Sequence, residues 1–484
     1  MLPAKFLPLL RGSISSRNIH KSASNLEKFQ NPFLRTLRIL RDDLKLTKKP
    51  NIDQNLNLMN IFPSYVDVLV IGGGVMGSSI AYWLKEKSGP NGVRLAVLEK
   101  DPTYANSTSV LSMGGLRQQF SLPENIQMSL YGAEFIRKLK DRFGRMGEVS
   151  FTPNGCLTLA TEIGASQLLD TARLQKELGA VNVVLSANQL KERFPWMNVK
   201  DIEAGCLGLE MEGCFDSWAM FCALKQGAMS LGAQYVTCEL NDFVFTSRHD
   251  IEIEGVQPGS YEGIDEVIVK LPDGQMKSIH FSICVLACGA DTGDIAKLAR
   301  IGTGEGLLSI PLPIEKRKRY VYSFSAQDEG PGLNTPLTID YTGAYFRRDG
   351  LGGTYIGGLS PLPGEDPKAE DLDANSVNKY FDEKFFSILR HRVPVFKDVN
   401  VKHAWSGFYD FNYYDENGIV GPHPYYHNMY IAAGFSSHGI QQAPAVGRAV
   451  AELILDGDFQ TLSLNRLGFD RLVIDKPITE ICVV

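Results

Sequence analysis

No run of apolar residues in this 484-residue chain is long and clean enough to span a bilayer. The nearest candidate, Val66 to Leu84, is interrupted by Asp67, three successive glycines and two serines. No transmembrane segment is therefore expected, and peripheral membrane association stays open. A basic excess is missing too: 49 Lys and Arg stand against 55 Asp and Glu, a formal net charge of −6. That removes the electrostatic basis for binding nucleic acid. The eight cysteines are scattered, with no C-x-x-C pair and no Cys/His spacing that suggests zinc. Reduced, buried thiols and no metal are expected, which suits a reducing compartment. Internal repeats and low-complexity tracts are absent. What remains is ordinary folded-chain composition, 44% hydrophobic and 21% charged, at a length that favours two domains.

The first 26 residues lack acids altogether. They carry Lys5, Arg11, Arg17 and Lys21 among five serines, with Phe6, Leu7, Leu9 and Leu10 as a short apolar patch. That is the composition of a mitochondrial transit peptide, and no long apolar stretch makes it a secretory signal. Residues 27–63 read as a polar lead-in of alternating charge.

The chain is organised around Val66 to Lys100. Asp67 to Ile71 is a short β-branched run, as a buried parallel strand requires. Gly72, Gly74 and Gly77 follow in G-x-G-x-x-G spacing, and Val75 to Lys87 has helical periodicity. A second strand, Arg94 to Leu98, ends in Glu99 and Lys100. Gly72 permits the tight turn, Gly74 lets a pyrophosphate approach the backbone, and Gly77 lets the helix pack on the strand. The helix start offers free N–H groups and partial positive charge. Glu99 is placed to accept the hydroxyls of an adenosine ribose. The Ser- and Gly-rich stretch Tyr104 to Phe120 comes next and is expected to cover the cofactor.

Further on, helices are expected over Asn125 to Arg142, Ile163 to Leu178, Ala187 to Arg193 and Phe215 to Leu231, the last with Asp216 as N-cap. Strands are expected over Gly155 to Ala160, Gly232 to Phe245 and Val267 to Leu271. A buried strand, Ile283 to Ala287, breaks at Gly289. Residues 311–404 alternate Pro-rich turns with aromatic strands. Their K-R-K-R cluster, Lys316 to Arg319, reads as a solvated face. Tyr345 to Arg348 reads as the start of a turn. Near the other end, Tyr430 to Ala433, a turn at Gly434 to Gly439 and a helix over Ile440 to Leu455 repeat the strand–turn–helix pattern. Two such helix starts aimed at one ligand favour a flavin over a nicotinamide, because a dipole can stabilise the charge of a reduced ring.

The fingerprint, V-L-A-C-G-A-D and A-A-G-F-S-S-H-G-I-Q-Q-A-P-A-V-G-R together resemble the D-amino-acid oxidase, glycine oxidase and sarcosine oxidase family, over about residues 64–470. The resemblance implies an α/β (α+β) flavoprotein of two interwoven domains. Residues 64–150, 215–310 and 405–484 would form a Rossmann-like FAD-binding domain. Residues 151–214 and 311–404 would form a mainly antiparallel substrate domain. By matching motif, Gly72, Gly74, Val75, Met76, Glu99 and Lys100 would hold the ADP half. Ser112, Gly114, Ala287, Gly289, Gly434, His438, Gly439, Ile440 and Gln441 would surround the rest. The motifs G-G-L-R-Q-Q-F-S-L-P-E-N-I-Q, F-P-W and N-G-I-V-G-P-H-P resemble a mitochondrial branch implicated in assembly of respiratory complex I. The resemblance thus implies a matrix location, or the matrix face of the inner membrane, and complex I subunits or assembly intermediates as partners. The alternative is oxidation of an amino acid or N-methyl amino acid with hydride transfer to flavin N5.

The chain departs from that family in places. Ser112, and Ser406 with Gly407, stand where relatives carry the His or Cys that links FAD covalently, so non-covalent FAD is expected. Gln441 and the lysine-free stretch Thr354 to Pro361 stand where sarcosine-type oxidases place a Lys that holds a carboxylate and a Lys that promotes reaction with oxygen. Arg347 or Arg348 would then clamp a carboxylate, with Arg117 as a further candidate; each is otherwise a salt-bridge residue. His438 reads as a hydrogen-bond donor beside the flavin rather than a general base. Tyr409 reads as a pocket wall or as core.

Overall fold

The computed structural model describes residues 62–326, 330–362, 364–367 and 374–482. The transit-peptide expectation, and all but the end of the lead-in, lie outside these residues. Residues 63–484 form one compact unit around two eight-stranded sheets.

The first sheet has the parallel core the sequence predicts. Tyr65–Ile71 lies between Leu95–Glu99 and Met276–Leu286, parallel to both. Gln234–Thr237 continues the sheet beyond Leu95–Glu99, and Met429–Ala433 continues it beyond Met276–Leu286, again in parallel. Leu69 and Val70 are fully buried, which explains their unbroken β-branched and aliphatic character. Ile419–Pro422 closes one edge antiparallel, and the Glu239–Ser247 and Glu262–Lys270 hairpin extends Met276–Leu286. The expected single strand Gly232 to Phe245 is two strands. The chain breaks at Cys238, whose N–H donates to the Glu99 carbonyl at 3.0 Å before the hairpin begins.

The fingerprint helix, Val75–Ser88, is buried over most of its length because two other helices pack on it. Gly447 of the Gly439–Asp456 helix comes so close that a Cβ there would lie 2.2 Å from Ser79 Oγ, and Ser79 Oγ donates to the Ala443 carbonyl at 2.7 Å. The third helix, Ser217–Ser230, is capped as expected, Asp216 accepting from the Ala219 N–H. The helix expected over Asn125 to Arg142 runs from Pro123 to Arg137, and a separate turn follows at Leu139–Phe143.

The second sheet is antiparallel except where Leu337–Ile339 runs beside Cys156–Ala160. Its longest pairing joins Ile314–Ala326 to Val399–Asn412, so residues 405–412 belong to this sheet. The boundary drawn at 405 cuts that strand. Tyr345 to Arg348 lie within a strand, Ala344–Asp349, which leads into the turn that begins at Gly350. Behind the sheet, Tyr322, Phe324, Tyr355, Phe385 and Phe396 form a packed aromatic cluster.

Candidate functional site

The Gly-rich turn is shaped by close approach of backbone to backbone. Gly72 has φ +102°, and a Cβ there would sit 2.3 Å from the Ala287 carbonyl oxygen. A Cβ on Gly77 would sit 1.9 Å from the Gly72 carbonyl oxygen. Only glycine allows the strand to turn there and the helix to settle on it. Gly74 faces hydroxyls instead: its Cβ would meet Ser109 Oγ at 3.3 Å, and the Val75 N–H donates to that oxygen at 3.0 Å. The Ser-rich stretch therefore packs on the first turn of the helix. The Glu99 carboxylate accepts from the Gly73 N–H at 3.0 Å and the Asp101 N–H at 2.8 Å. Burial raises its pKa and these two N–H groups oppose the rise. Lys100 is paired with Asp291 at 2.5 Å, which also pairs with Lys316. Burial works against ionisation of Asp291, but the two lysines outweigh it and hold its carboxyl below the usual range.

The second turn is shaped from outside. The Gly434 and Phe435 N–H groups donate to Asp410 Oδ2 at 2.7 and 3.1 Å, and Asp410 comes from the second sheet. Ser436 and Ser437 hold φ +45° and +78°, left-handed values unusual for serine. His438 follows, buried, with neither ring nitrogen hydrogen-bonded in the protein. Its ring lies 5.1 Å from that of Phe120. Burial pushes its pKa down to about 4, with Arg117 adding to the shift and Glu480 opposing it, so the imidazole is neutral. Gln441 is committed to the protein: its Oε1 accepts from the Arg117 N–H at 2.8 Å and its Nε2 donates to Ser129 Oγ at 3.2 Å. It fixes the main chain at Arg117.

A cleft of about 620 Å³ lies between the two turns, within the usual range of about 300–1,000 Å³ for ligand sites. Gly72, Gly74, Val75, Met76, Glu99, Lys100, Ser112, Ala287, Gly289, Gly439 and Ile440 all line it. Gly77 stands behind it as a packing residue. So does Gly114, whose φ is +70° and whose Cβ would lie 1.9 Å from the Phe215 carbonyl oxygen. Gly434 supports the second turn, φ +82°, with its Cβ position 3.0 Å from Ile314.

A smaller cavity of about 160 Å³ opens from the cleft, sharing Thr108, Ser112, Phe408, Ser437 and Ile440 with it. His438, Gln441 and Tyr409 line it, so Tyr409 is a pocket wall. Its arginines are not those the sequence favoured. Arg347 Nε donates to the Met113 carbonyl at 2.9 Å and Nη1 donates to Asp349 at 2.9 Å. Arg348 points the other way, as alternate strand residues must, and holds the next turn through the Pro331, Gly350 and Leu351 carbonyls. Neither lines the cavity. Arg117 and Arg319 do, and no Asp, Glu or Lys does among the described residues. Arg117 donates to the Gln119 and Cys482 carbonyls at 2.8 and 2.7 Å, with its guanidinium 4.4 Å from the centre of the Phe120 ring. Arg319 bonds Asp366 and the Tyr409 hydroxyl. The K-R-K-R cluster is thus not a solvated face: Lys318 is buried and Lys316 reaches the cleft. Strand alternation sends Lys316 and Lys318 to different neighbours than Arg317 and Arg319.

The chain matches the family model for FAD dependent oxidoreductases, DAO, over residues 67–453, which spans both strand–turn–helix units. It belongs to that family. A protein of Drosophila melanogaster named FAD-dependent oxidoreductase domain-containing protein 1 homolog is 44% identical over 93% of this chain and 92% of its own length. A Xenopus laevis protein, FAD-dependent oxidoreductase domain-containing protein 1, is 45% identical over 86% of this chain and 85% of its own. Among solved structures, L-proline dehydrogenase from P. horikoshii superposes with a TM-score of 0.67 at 25% identity, covering 86% of this chain and 100% of that one. The two-domain flavoprotein fold and FAD as cofactor follow from membership.

The residues present fit that cofactor. A Gly-rich turn and a half-buried carboxylate stand at one end of the cleft, and a neutral imidazole with neither ring nitrogen hydrogen-bonded stands beyond the other. Gly72, Gly74, Val75 and Glu99 would hold the ADP half, and the N–H groups at Gly439 and Ile440 the ring end. Two thiols line the cleft, Cys238 and Cys288, each pushed up to about 12 by burial and so un-ionised. No cysteine lines the cavity.

Proposed function

We propose that this protein oxidises an amino acid or N-methyl amino acid whose carboxylate is held by Arg117. The observation behind this reading is a small cavity, continuous with the cofactor cleft, that carries arginine and no acid. Two of the five guanidinium N–H groups of Arg117 go to carbonyls, and the rest remain for an anion. FAD, when bound, would supply a hydride acceptor: the donor would lose a hydride from carbon and a proton from nitrogen to solvent, and the released imine would hydrolyse in water. Among the described residues no lysine lines the cavity, which speaks against dioxygen as the rapid electron acceptor. The test is anaerobic bleaching of the flavin band by a panel of amino acids and N-methyl amino acids. Failure of every compound would overturn the reading. Arg117→Met should raise the donor concentration needed for half-bleaching by about 10- to 100-fold, the worth of a charged hydrogen bond. FAD itself should be held without a covalent bond. Acid precipitation should leave a colourless pellet, and a yellow one would contradict this.

A second reading is an assembly role for respiratory complex I at the matrix face of the inner mitochondrial membrane. The same absence of lysine from the cavity supports it, since rapid oxidase turnover is not what the site is built for. The acid-free, Ser-rich first 26 residues support the location. Removing the protein from mitochondria should lower complex I or leave a smaller intermediate. Unchanged amount and size would eliminate this role. Re-expressing Arg117→Met then shows whether the role needs the cavity's chemistry.

A further inference from the structure

We propose that the cavity is built for a donor with two anionic groups, the second held by Arg319 and the Tyr409 hydroxyl. This deepens the oxidation reading above and rests on it for the word donor. The observation is that two guanidinium groups from unrelated parts of the chain line one space of about 160 Å³. Arg117 follows the short strand Gly115–Leu116 and is fixed by Gln441 and Cys482. Arg319 lies on the second sheet, paired in register with Gly407, which also lines the cavity.

Arg319 is paired with a carboxylate that lies outside the cavity. Its counter-ion, Asp366, is shared with Arg317, and Asp366 does not line the cavity. Arg317 has a second carboxylate, Glu315, at 2.8 Å. The Arg319 guanidinium also lies 4.4 Å from the Tyr409 ring centre, and two such contacts fix its plane. Val321, Leu337 and Ile339 supply an apolar wall between the two cationic regions. A charge beside such a wall gains more from an anion than it would in water. The volume agrees. At roughly 10–15 Å³ of such space per water-sized probe, the cavity of about 160 Å³ has room for about 11–16 non-hydrogen atoms, enough for a four- or five-carbon amino dicarboxylate. A monocarboxylic donor would leave one guanidinium facing apolar carbon.

The test uses FAD-loaded protein and compounds that cannot be oxidised. Malonate, succinate and glutarate, and the monocarboxylates of matching chain length, are titrated against the flavin absorbance spectrum. The best dicarboxylate should bind at least about tenfold tighter than its monocarboxylate partner, with an optimum at four or five carbons. Arg319→Met should shrink that ratio to about twofold, and Arg319→Lys should restore part of it. Both variants are checked first for FAD content; if neither holds FAD, the wild-type series decides alone. Equal affinity for the two series, or an unchanged ratio in a flavin-loaded Arg319→Met, would overturn the proposal. The two readings fail separately. Dicarboxylate preference without bleaching by any amine sinks only the oxidation reading. Bleaching by monocarboxylic amines with no dicarboxylate preference sinks only this one.

Discussion

The two strand–turn–helix units that meet at the FAD cleft reach similar shapes by different routes. The first turn is closed by its own missing side chains: Gly72 and Gly77 let backbone touch backbone within a few residues and beside the Ala287 carbonyl. The second turn holds two serines in left-handed conformations, and it does so because Asp410, on a strand of the other sheet, accepts the Gly434 and Phe435 N–H groups. One cofactor loop is specified by glycines at the close approaches of its own backbone and of the adjoining strand end. The other is specified by a carboxylate that belongs to the neighbouring sheet. A fold can therefore carry the same ligand contact with two quite different sensitivities to change.

The sharpest way to break the first unit is Gly77→Val. Its Cβ has 1.9 Å of room, and backbone cannot yield as a flexible side chain would. Loss of soluble, yellow protein is expected, and a normal flavin-to-protein ratio would contradict the account. Asp410→Ala tests the second unit. It strands two buried N–H groups, at a cost of about 4 kcal/mol if each is worth about 2. FAD affinity should fall about a hundredfold or more, measured by flavin fluorescence on dilution, while the Val75–Ser88 helix keeps its hydrogen-exchange protection. Unchanged affinity would mean the turn is self-supporting after all.

The smallest effect concerns His438. Its folded pKa, about 4, lies below the unfolded value near 6.5, so the unfolded chain takes up the proton first as pH falls. Its contribution is complete above pH 6.5 and lost on the way down to pH 4, worth about 3 kcal/mol. His423, which burial pushes down to about 3, acts in the same direction. The informative quantity is the difference between wild type and His438→Leu in denaturant midpoints across pH 4–6.5. Parallel curves would remove His438 from the account.

This contrast also explains what was legible in the sequence. Gly72, Gly74, Gly77 and Glu99 could be read because their roles are set by a spacing along one strand, turn and helix. The parallel strands around Leu69 and Val70 could be read because burial on both faces imposes an unbroken apolar run. Arg319 could not, since its place beside the cavity depends on the register between Ile314–Ala326 and Val399–Asn412, which no local spacing encodes. Arg347 and Arg348 misled for the same reason. They have the right chemistry, but strand alternation and the turn after Asp349 send both guanidinium groups to main-chain carbonyls. The bond from the Arg117 N–H to Gln441 was equally out of reach of local spacing, because it spans 324 positions.

The contact between Ser79 and Ala443 has a consequence for biogenesis. It joins positions 364 apart, so at about 5–20 residues per second a nascent chain carries the fingerprint helix for roughly 20–70 s before its partner leaves the ribosome. During that interval the helix lacks the neighbour that covers much of it, and half a flavin cradle waits in a crowded compartment. Any truncation upstream of Gly439 should leave that wait without an end, and the product a client for chaperones and proteases rather than a colourless enzyme.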